Sequence, residues 1–240
     1  MTDSLNEFNQ PVGADLADWK GANRPCGKML EGRYCRLERI NAEHHAVDLY
    51  ESYYLATNER DWTYLLSGPF SSFEFYRDWV LNVESRSDPL HYAVIDADSN
   101  KAVGTVALMR IDPSNGVIEV GSLMYSPRMK RTRISTEVMA LLLHYVFAES
   151  GYRRLEWKCD TLNAPSRAAA ERFGFRFEGV FRQAMVTRGR NRDTAWYSII
   201  DSEYAVLLSA FQKWLAPPNF DEYGRQREKL GAFIAEKRAW

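Results

Sequence analysis

The sequence predicts an α/β (α+β) domain: a mixed, mostly antiparallel central sheet with helices on both faces and a parallel strand pair at its centre. Three observations predict it. Strand patterns over 91–95, 103–111 and 117–125 are separated only by turn chemistry, Asp98-Ser99-Asn100 and Asp112-Pro113-Ser114-Asn115-Gly116, so they form antiparallel hairpins. The stretch 117–160 reads strand, helix, strand, which requires a crossover and therefore a parallel pair. Helical patterns precede the hairpins and follow them, so both faces of the sheet are covered.

Composition sets the outer bounds. The chain has 240 residues, 45% hydrophobic and 26% charged, which suits one domain with extensions. Its net charge of −1 gives no global reason to expect nucleic acid or an anionic membrane as partner. No apolar run is long enough to span a bilayer. Residues 1–13, MTDSLNEFNQPVG, lack the basic and apolar regions of a signal peptide, so the cytoplasm is the expected compartment. Cys26, Cys35 and Cys159 are odd in number and widely spaced, giving neither a disulfide framework nor a zinc spacing. His44, His45, His91 and His144 have no metal spacing either, and no metal is expected.

In chain order, residues 1–31 read as an irregular arm, broken by Pro11, Gly13, Gly21, Pro25 and Gly27, with Trp19 as an anchor on the core. Residues 33–39 alternate and form a first strand. Asn41 caps a helix to about 54, with Ala46, Leu49, Tyr50 and Tyr53 on one face. The aromatic segment 61–70 ends in Gly68-Pro69 and is a loop. Ser71 or Ser72 caps a second helix to about 83, with Phe75, Trp79 and Val83 on one face. After the three hairpin strands, a basic turn over 129–133 leads into a helix opening at Ser135-Thr136-Glu137 and stopped by Gly151. A strand over 154–160, a turn at Asn163 and a short helix ended by Gly174 follow. Strands over 178–187 and 194–200 flank a turn at 188–192. A helix over 202–215 ends at Pro217-Pro218, and a charged tail runs to 240. The domain is expected at 32–201, with an arm at 1–31 and a helical extension at 202–240. The apolar residues of 202–215 add surface for a homodimer.

The stretch 126–175 carries the chemistry. The first turn of a helix presents unpaired N–H groups and a positive dipole end. Lys130, Arg131 and Arg133 precede it, and the hydroxyls of Ser135 and Thr136 lie in it, so a pyrophosphate fits. The bland alternative is a capped surface helix with Ser135 or Thr136 as N-cap and solvated cations. Asn163 and Ser166 place an amide in the next loop and a hydroxyl at the mouth of the next helix; turn and N-cap are the ordinary uses of both.

Together, Ser135-Thr136-Glu137, Asn163-Ala164-Pro165-Ser166-Arg167, Phe173-Gly174-Phe175 and Glu178-Gly179-Val180 resemble the GNAT superfamily of acyl-CoA-dependent N-acyltransferases. The likeness is greatest to the branch containing the ribosomal-protein N-terminal acetyltransferases. It covers about 32–201 and is strongest over 117–179. One departure stands out: the family's phosphate loop usually carries glycines where this chain has Arg131 and Arg133. Glycine lets backbone approach phosphate, whereas arginine substitutes charge-assisted hydrogen bonds.

The resemblance implies direct acetyl transfer from acetyl-CoA to an amine in a ternary complex. It places the thioester along backbone groups of Leu123, Met124 and Tyr125, and the phosphates on Lys130, Arg131, Thr132, Arg133, Ser135 and Thr136. Asn163, Ser166 and Arg167 would complete the cofactor site. Glu119, four residues before Leu123, is the candidate general base, set against an ordinary strand carboxylate. Ser166 and Tyr125 are candidate acids for the leaving thiolate. Cys159 reads as a buried small hydrophobe rather than a nucleophile. The acceptor is a peptide N-terminus or a small-molecule amine. Two rival readings compete: an acyl-CoA-binding regulatory protein that has lost turnover, motivated by Arg131 and Arg133, and a nucleic-acid binder using 128–133 and 188–192. The balanced charge and the lack of a stacking platform weigh against the second.

Overall fold

Caps and turns place the elements. The computed structural model describes residues 4–55 and 59–238. A short ladder of β1 (Ser4–Leu5) and β2 (Pro11–Val12) stands apart from the main sheet. The arm then crosses the molecule and is pinned by Trp19, whose indole N–H donates to the Ser114 carbonyl at 2.7 Å beneath the Arg153 guanidinium. The strand expected at 33–39 is β4 (Cys35–Arg39), and a further short strand, β3 (Leu30–Glu31), precedes it. Between them the chain turns because the Glu137 carboxylate accepts from three consecutive N–H groups, those of Arg33, Tyr34 and Cys35.

Asn41 caps α1 (Ala42–Tyr53) through the His44 N–H, and Ser72 caps α2 (Phe73–Glu84) through the Phe75 N–H. The buried face of α2 is Tyr76, Val80 and Val83, not one running through Phe75, which is 62% exposed. The spacing 76, 80, 83 keeps the helical period and shares Val83 with the expected face, but Tyr76 and Val80 lead it where Phe75 and Trp79 were expected. Then come β5 (Leu90–Asp96), β6 (Ala102–Asp112) and β7 (Val117–Tyr125), an antiparallel meander.

Helix α3 (Arg133–Leu143) starts two residues before Ser135, with Thr132 in the N-cap position. Neither Ser135 nor Thr136 caps it. The Thr132 hydroxyl donates back to the Met129 carbonyl and the Ser135 hydroxyl to the Thr132 carbonyl. The helix widens into a π turn over His144–Glu149 before Gly151, at φ +73°, ends it. β8 (Arg154–Asp160) returns parallel to β7, and α4 (Ala164–Arg172) follows from the Asn163 cap. β9 (Arg176–Thr187) and β10 (Arg190–Ile200) form the last hairpin. α5 (Asp201–Leu215) and α6 (Leu230–Arg238) close the described chain.

The main sheet has eight strands in the order β3-β4-β5-β6-β7-β8-β10-β9, antiparallel except for β7–β8. Alternation along β5 feeds two cores. Leu90, Tyr92 and Val94 join the face covered by α3 and α5, while Ala93 and Ile95 join the face covered by α1 and α2. Leu207, Ala210, Phe211 and Trp214 of α5 belong to the first core, as do Leu230 and Ile234 of α6. Of the apolar α5 residues that motivated a second copy, Leu207 and Phe211 are buried within the chain, while Tyr204, Leu208 and Leu215 are half-buried. No helix among the described residues is long and apolar enough to cross a membrane.

Candidate active site

The parallel ladder between β7 and β8 runs only from Val117–Arg154 to Glu119–Glu156. Beyond it, β7 pairs with β6 alone and β8 with β10 alone. A bulge in β7 around Ser122, at φ +49°, helps turn the two strands apart. The parting strands open a cleft of about 1890 Å³. One wall carries Leu123, Met124 and Tyr125, the other Cys159, Asn163 and Ser166. Among the described residues, backbone groups on the β8 side of 120–125 have no ladder partner, so the cleft offers a bare strand edge to an extended ligand.

At one end of the cleft lies the loop before α3. It folds on itself through Met129 N–H and Lys130 N–H, both donating to the Ser126 carbonyl at 3.1 Å. Arg131 sits at φ +61°, the left-handed conformation that glycine favours. The backbone here thus takes the path a glycine would take, with an arginine side chain pointing outward and exposed. Arg133 turns away from the loop: its guanidinium lies between the rings of Tyr34, 4.7 Å away, and Phe220, 4.9 Å away. Lys130 is ion-paired with Asp61 of the aromatic loop. Ser126 Oγ and Tyr125 OH are buried without a hydrogen-bond partner among the described residues, which suits a polar ligand in the cleft.

On the other wall, Asn163 accepts from the Ser166 N–H at 3.1 Å, and Ser166 Oγ accepts from the Trp157 indole N–H at 3.0 Å. Burial pushes the Cys159 thiol up, opposed by the Ser166 hydroxyl and by the Arg192 and Arg167 guanidiniums. Burial likewise raises the Tyr125 phenol. Glu119 is buried, with its Oε2 2.5 Å from Arg110 Nη1 and 3.0 Å from Lys158 Nζ. Lys158 also pairs with Glu156 at 2.7 Å and lies 3.7 Å over the Trp196 ring.

Of the residues expected in the site, Thr136 and Arg167 do not line the cleft. Thr136 is buried and accepts from Arg172 Nη2 at 3.0 Å, and Arg167 braces α4 by donating to the Tyr197 hydroxyl at 3.1 Å. The others expected there do line it. Sequence reasoning missed Arg172, Arg110, Lys158 and Arg192. Arg172 lies on the last turn of α4, where a cation is ordinary. It makes no ion pair among the described residues, stacks on Phe173 and Trp214, and burial lowers its guanidinium. The other three alternate along strands whose solvent face and cleft face look alike in sequence.

Nine cations line the cleft against three carboxylates, Asp61, Glu119 and Asp160, in a chain whose net charge is −1. The concentration is local and favours an anionic ligand. The aromatic loop roofs it. Besides Asp61–Lys130, the Tyr64 hydroxyl donates to the Leu162 carbonyl at 3.0 Å, and Arg188 donates to the Gly68 carbonyl. No group of metal-ligating side chains forms a site among the described residues.

The sequence profile of the acetyltransferase (GNAT) domain matches residues 36–176. The crystal structure of a GCN5-related N-acetyltransferase from Brucella melitensis is 48% identical, with a TM-score of 0.90, covering 91% of this chain and 99% of that one. The N-acetyltransferase p20 of Bacillus licheniformis is 25% identical over 147 residues, 59% of this chain and 81% of that protein. The ribosomal-protein-serine acetyltransferase of Escherichia coli K12 is 34% identical over 106 residues, 43% of this chain and 58% of that protein.

Proposed function

The chain belongs to the GNAT acetyltransferase family, and on that footing we propose that it carries an acetyl group from acetyl-CoA directly to an amine within a ternary complex. The observation that carries this reading is the parting of β7 and β8 after Glu119, which leaves a strand edge open beside a cationic loop at a helix N-terminus. The catalytic domain is taken as 32–201, with 1–31 and 202–240 as extensions.

The residues present fit the cofactor. The start of α3 and the Arg131 N–H, which has no backbone partner among the described residues, face a diphosphate. Arg172 and Arg131 bring charge to the same end, and Lys130 exchanges Asp61 for phosphate. The Asn163 side-chain N–H groups, unused in the α4 cap, hydrogen-bond a pantetheine amide. The departure at Arg131 and Arg133 is no obstacle on this reading: the first keeps a glycine-like backbone and the second is drawn out of the loop.

Acetyl-CoA supplies the thioester carbonyl when bound. Backbone N–H groups of the bulged segment 122–125 stabilise negative charge on that oxygen. Glu119 takes a proton from the acceptor amine, directly or through one water, so that the nitrogen lone pair can form the new C–N bond. Ser166, beside Cys159, gives its hydroxyl proton to the departing thiolate as the C–S bond breaks and takes one back from water in the cleft. Tyr125 is the second donor; burial raises its phenol, so it gives up its proton less readily than an ordinary tyrosine. A peptide N-terminus and a small amine are both acceptors of this chemistry; the Escherichia coli relative's name gives a ribosomal-protein serine for that protein.

Release of free thiol from acetyl-CoA, followed with a thiol-reactive chromophore across a panel of amines, tests the proposal. Amine-dependent thiol release is expected. Absence of thiol release with every amine would return the chain to the acyl-CoA-binding reading.

A further inference from the structure

Most of the cleft cations have a use. Arg110 and Lys158 are held by Glu119 and Glu156. Arg131, Arg172 and Lys130 lie at the end suited to phosphates. Arg192 has no such account. It lines the cleft but makes no ion pair, and its Nε is buried without a hydrogen-bond partner among the described residues.

Its neighbours do not neutralise it. Asp193 Oδ1 accepts from the Gln183 N–H at 2.7 Å and the Asn191 amide at 3.0 Å, and no ion pair joins this carboxylate to Arg192 among the described residues. Asp160 Oδ1 accepts from the Leu162 N–H at 2.9 Å. Next on the same face of β10 is Thr194, whose Oγ1 is also buried without a partner. Two orphaned polar groups, one of them charged, thus sit two residues apart on one strand face. Leaving a charge half-buried and unpaired is costly, and a bound counter-charge removes that cost.

The cofactor's phosphates do not reach this place. Ala195, Tyr197 and Ile199 of β10 pack in the core shared with α3, whose start is the phosphate end. Arg192, Thr194 and Trp196 alternate to the opposite face, where Trp196 meets Lys158 and, through it, Glu119. That is the face from which an amine would approach.

We infer that the acceptor amine carries a carboxylate, and that Arg192, with Thr194 beside it, binds that carboxylate while the amine faces Glu119. The inference rests on the acetyltransferase reading. The planar guanidinium pairs with a carboxylate through two parallel N–H donors, Nε and a terminal nitrogen, and Nε is the atom left orphaned. The roof made by the aromatic loop favours a compact acceptor, an amino acid or short peptide with a free C-terminus.

The test uses matched acceptors, amino acids and dipeptides against their C-terminal amides, with rates compared per unprotonated amine. Wild-type kcat/KM is expected to favour the carboxylate member by about tenfold to a hundredfold, the worth of a charge-assisted hydrogen-bonded pair. In Arg192→Gln the ratio falls to near one, and Arg192→Lys restores part of it. Thermal denaturation and acetyl-CoA titration of both variants show that fold and cofactor site persist. A wild-type ratio near one, a ratio that survives Arg192→Gln, or no reaction with any carboxylate-bearing member overturns the inference. Failure of the wild type to bind acetyl-CoA would instead strike the acetyltransferase reading beneath it.

Discussion

Replacing Glu119 by glutamine separates catalysis from structure. The side chain is 5% exposed, and its Oε2 holds Arg110 at 2.5 Å and Lys158 at 3.0 Å. Its Oε1 has no donor among the described residues and is the atom left to take a proton. Glutamine keeps the shape and one acceptor oxygen but accepts no proton, so the general-base contribution, about 10²–10⁴ in kcat, is lost. Removing a charge from a buried pair costs about 3–5 kcal/mol when the partner is left alone. Here Lys158 keeps Glu156 at 2.7 Å and the Arg110 side chain is 48% exposed. The stability loss should therefore fall to about 1–2 kcal/mol, a Tm drop of about 2–8 °C for a chain of this size. The assay is amine-dependent thiol release, with acetyl-CoA affinity by calorimetry and Tm by circular dichroism. The expected pattern is a large kcat loss, a small Tm loss and acetyl-CoA affinity within about threefold of wild type. Turnover equal to wild type would remove Glu119 from the mechanism.

Glu137→Ala leaves the N–H groups of Arg33, Tyr34 and Cys35 without their acceptor. It should cost about 3–5 kcal/mol in urea denaturation, and a loss under 1 kcal/mol would refute the clasp. Phe220→Ala removes one side of the Arg133 sandwich and should cost about 1–2 kcal/mol. It should also weaken acetyl-CoA binding severalfold by freeing the loop before α3, whereas unchanged affinity would separate the tail from the cofactor site. His91 is buried, and desolvation lowers its pKa to about 4 from an ordinary 6.5. The unfolded chain therefore binds the proton first. Stability present above pH 6.5 is lost as pH falls toward 4, by up to about 3 kcal/mol. Urea midpoints across this range should show a fall that His91→Gln reduces, and parallel curves for the two proteins would refute it.

Local signals carried much of the fold. Val117–Tyr125 and Arg154–Asp160 coincide with their expected bounds because Asn115-Gly116 and Gly151 stop the chain on one side and turn residues on the other. Asn41 and Ser72 cap as their side chains suggest. The start of α3 was misread because its hydroxyls bond within their own turn, and that depends on the loop's backbone path rather than on residue type. The register of α2 slipped because Phe75 and Tyr76 are both apolar enough to lead a face; the sheet beneath decides. The fate of Arg133 depends on Tyr34 and Phe220, far apart in sequence, and the unpaired state of Arg192 depends on what β8 and β9 bring near it. Such facts are tertiary, and no local pattern encodes them.

The central claim is that a cleft lined by nine cations and a bare strand edge binds acetyl-CoA. Calorimetric titration of the purified chain with acetyl-CoA, with CoA and ADP as competitors, tests it most directly. The account predicts micromolar binding that ADP competes for and that weakens as salt rises, because the diphosphate meets the cations at the start of α3. No heat of binding at millimolar acetyl-CoA would contradict it.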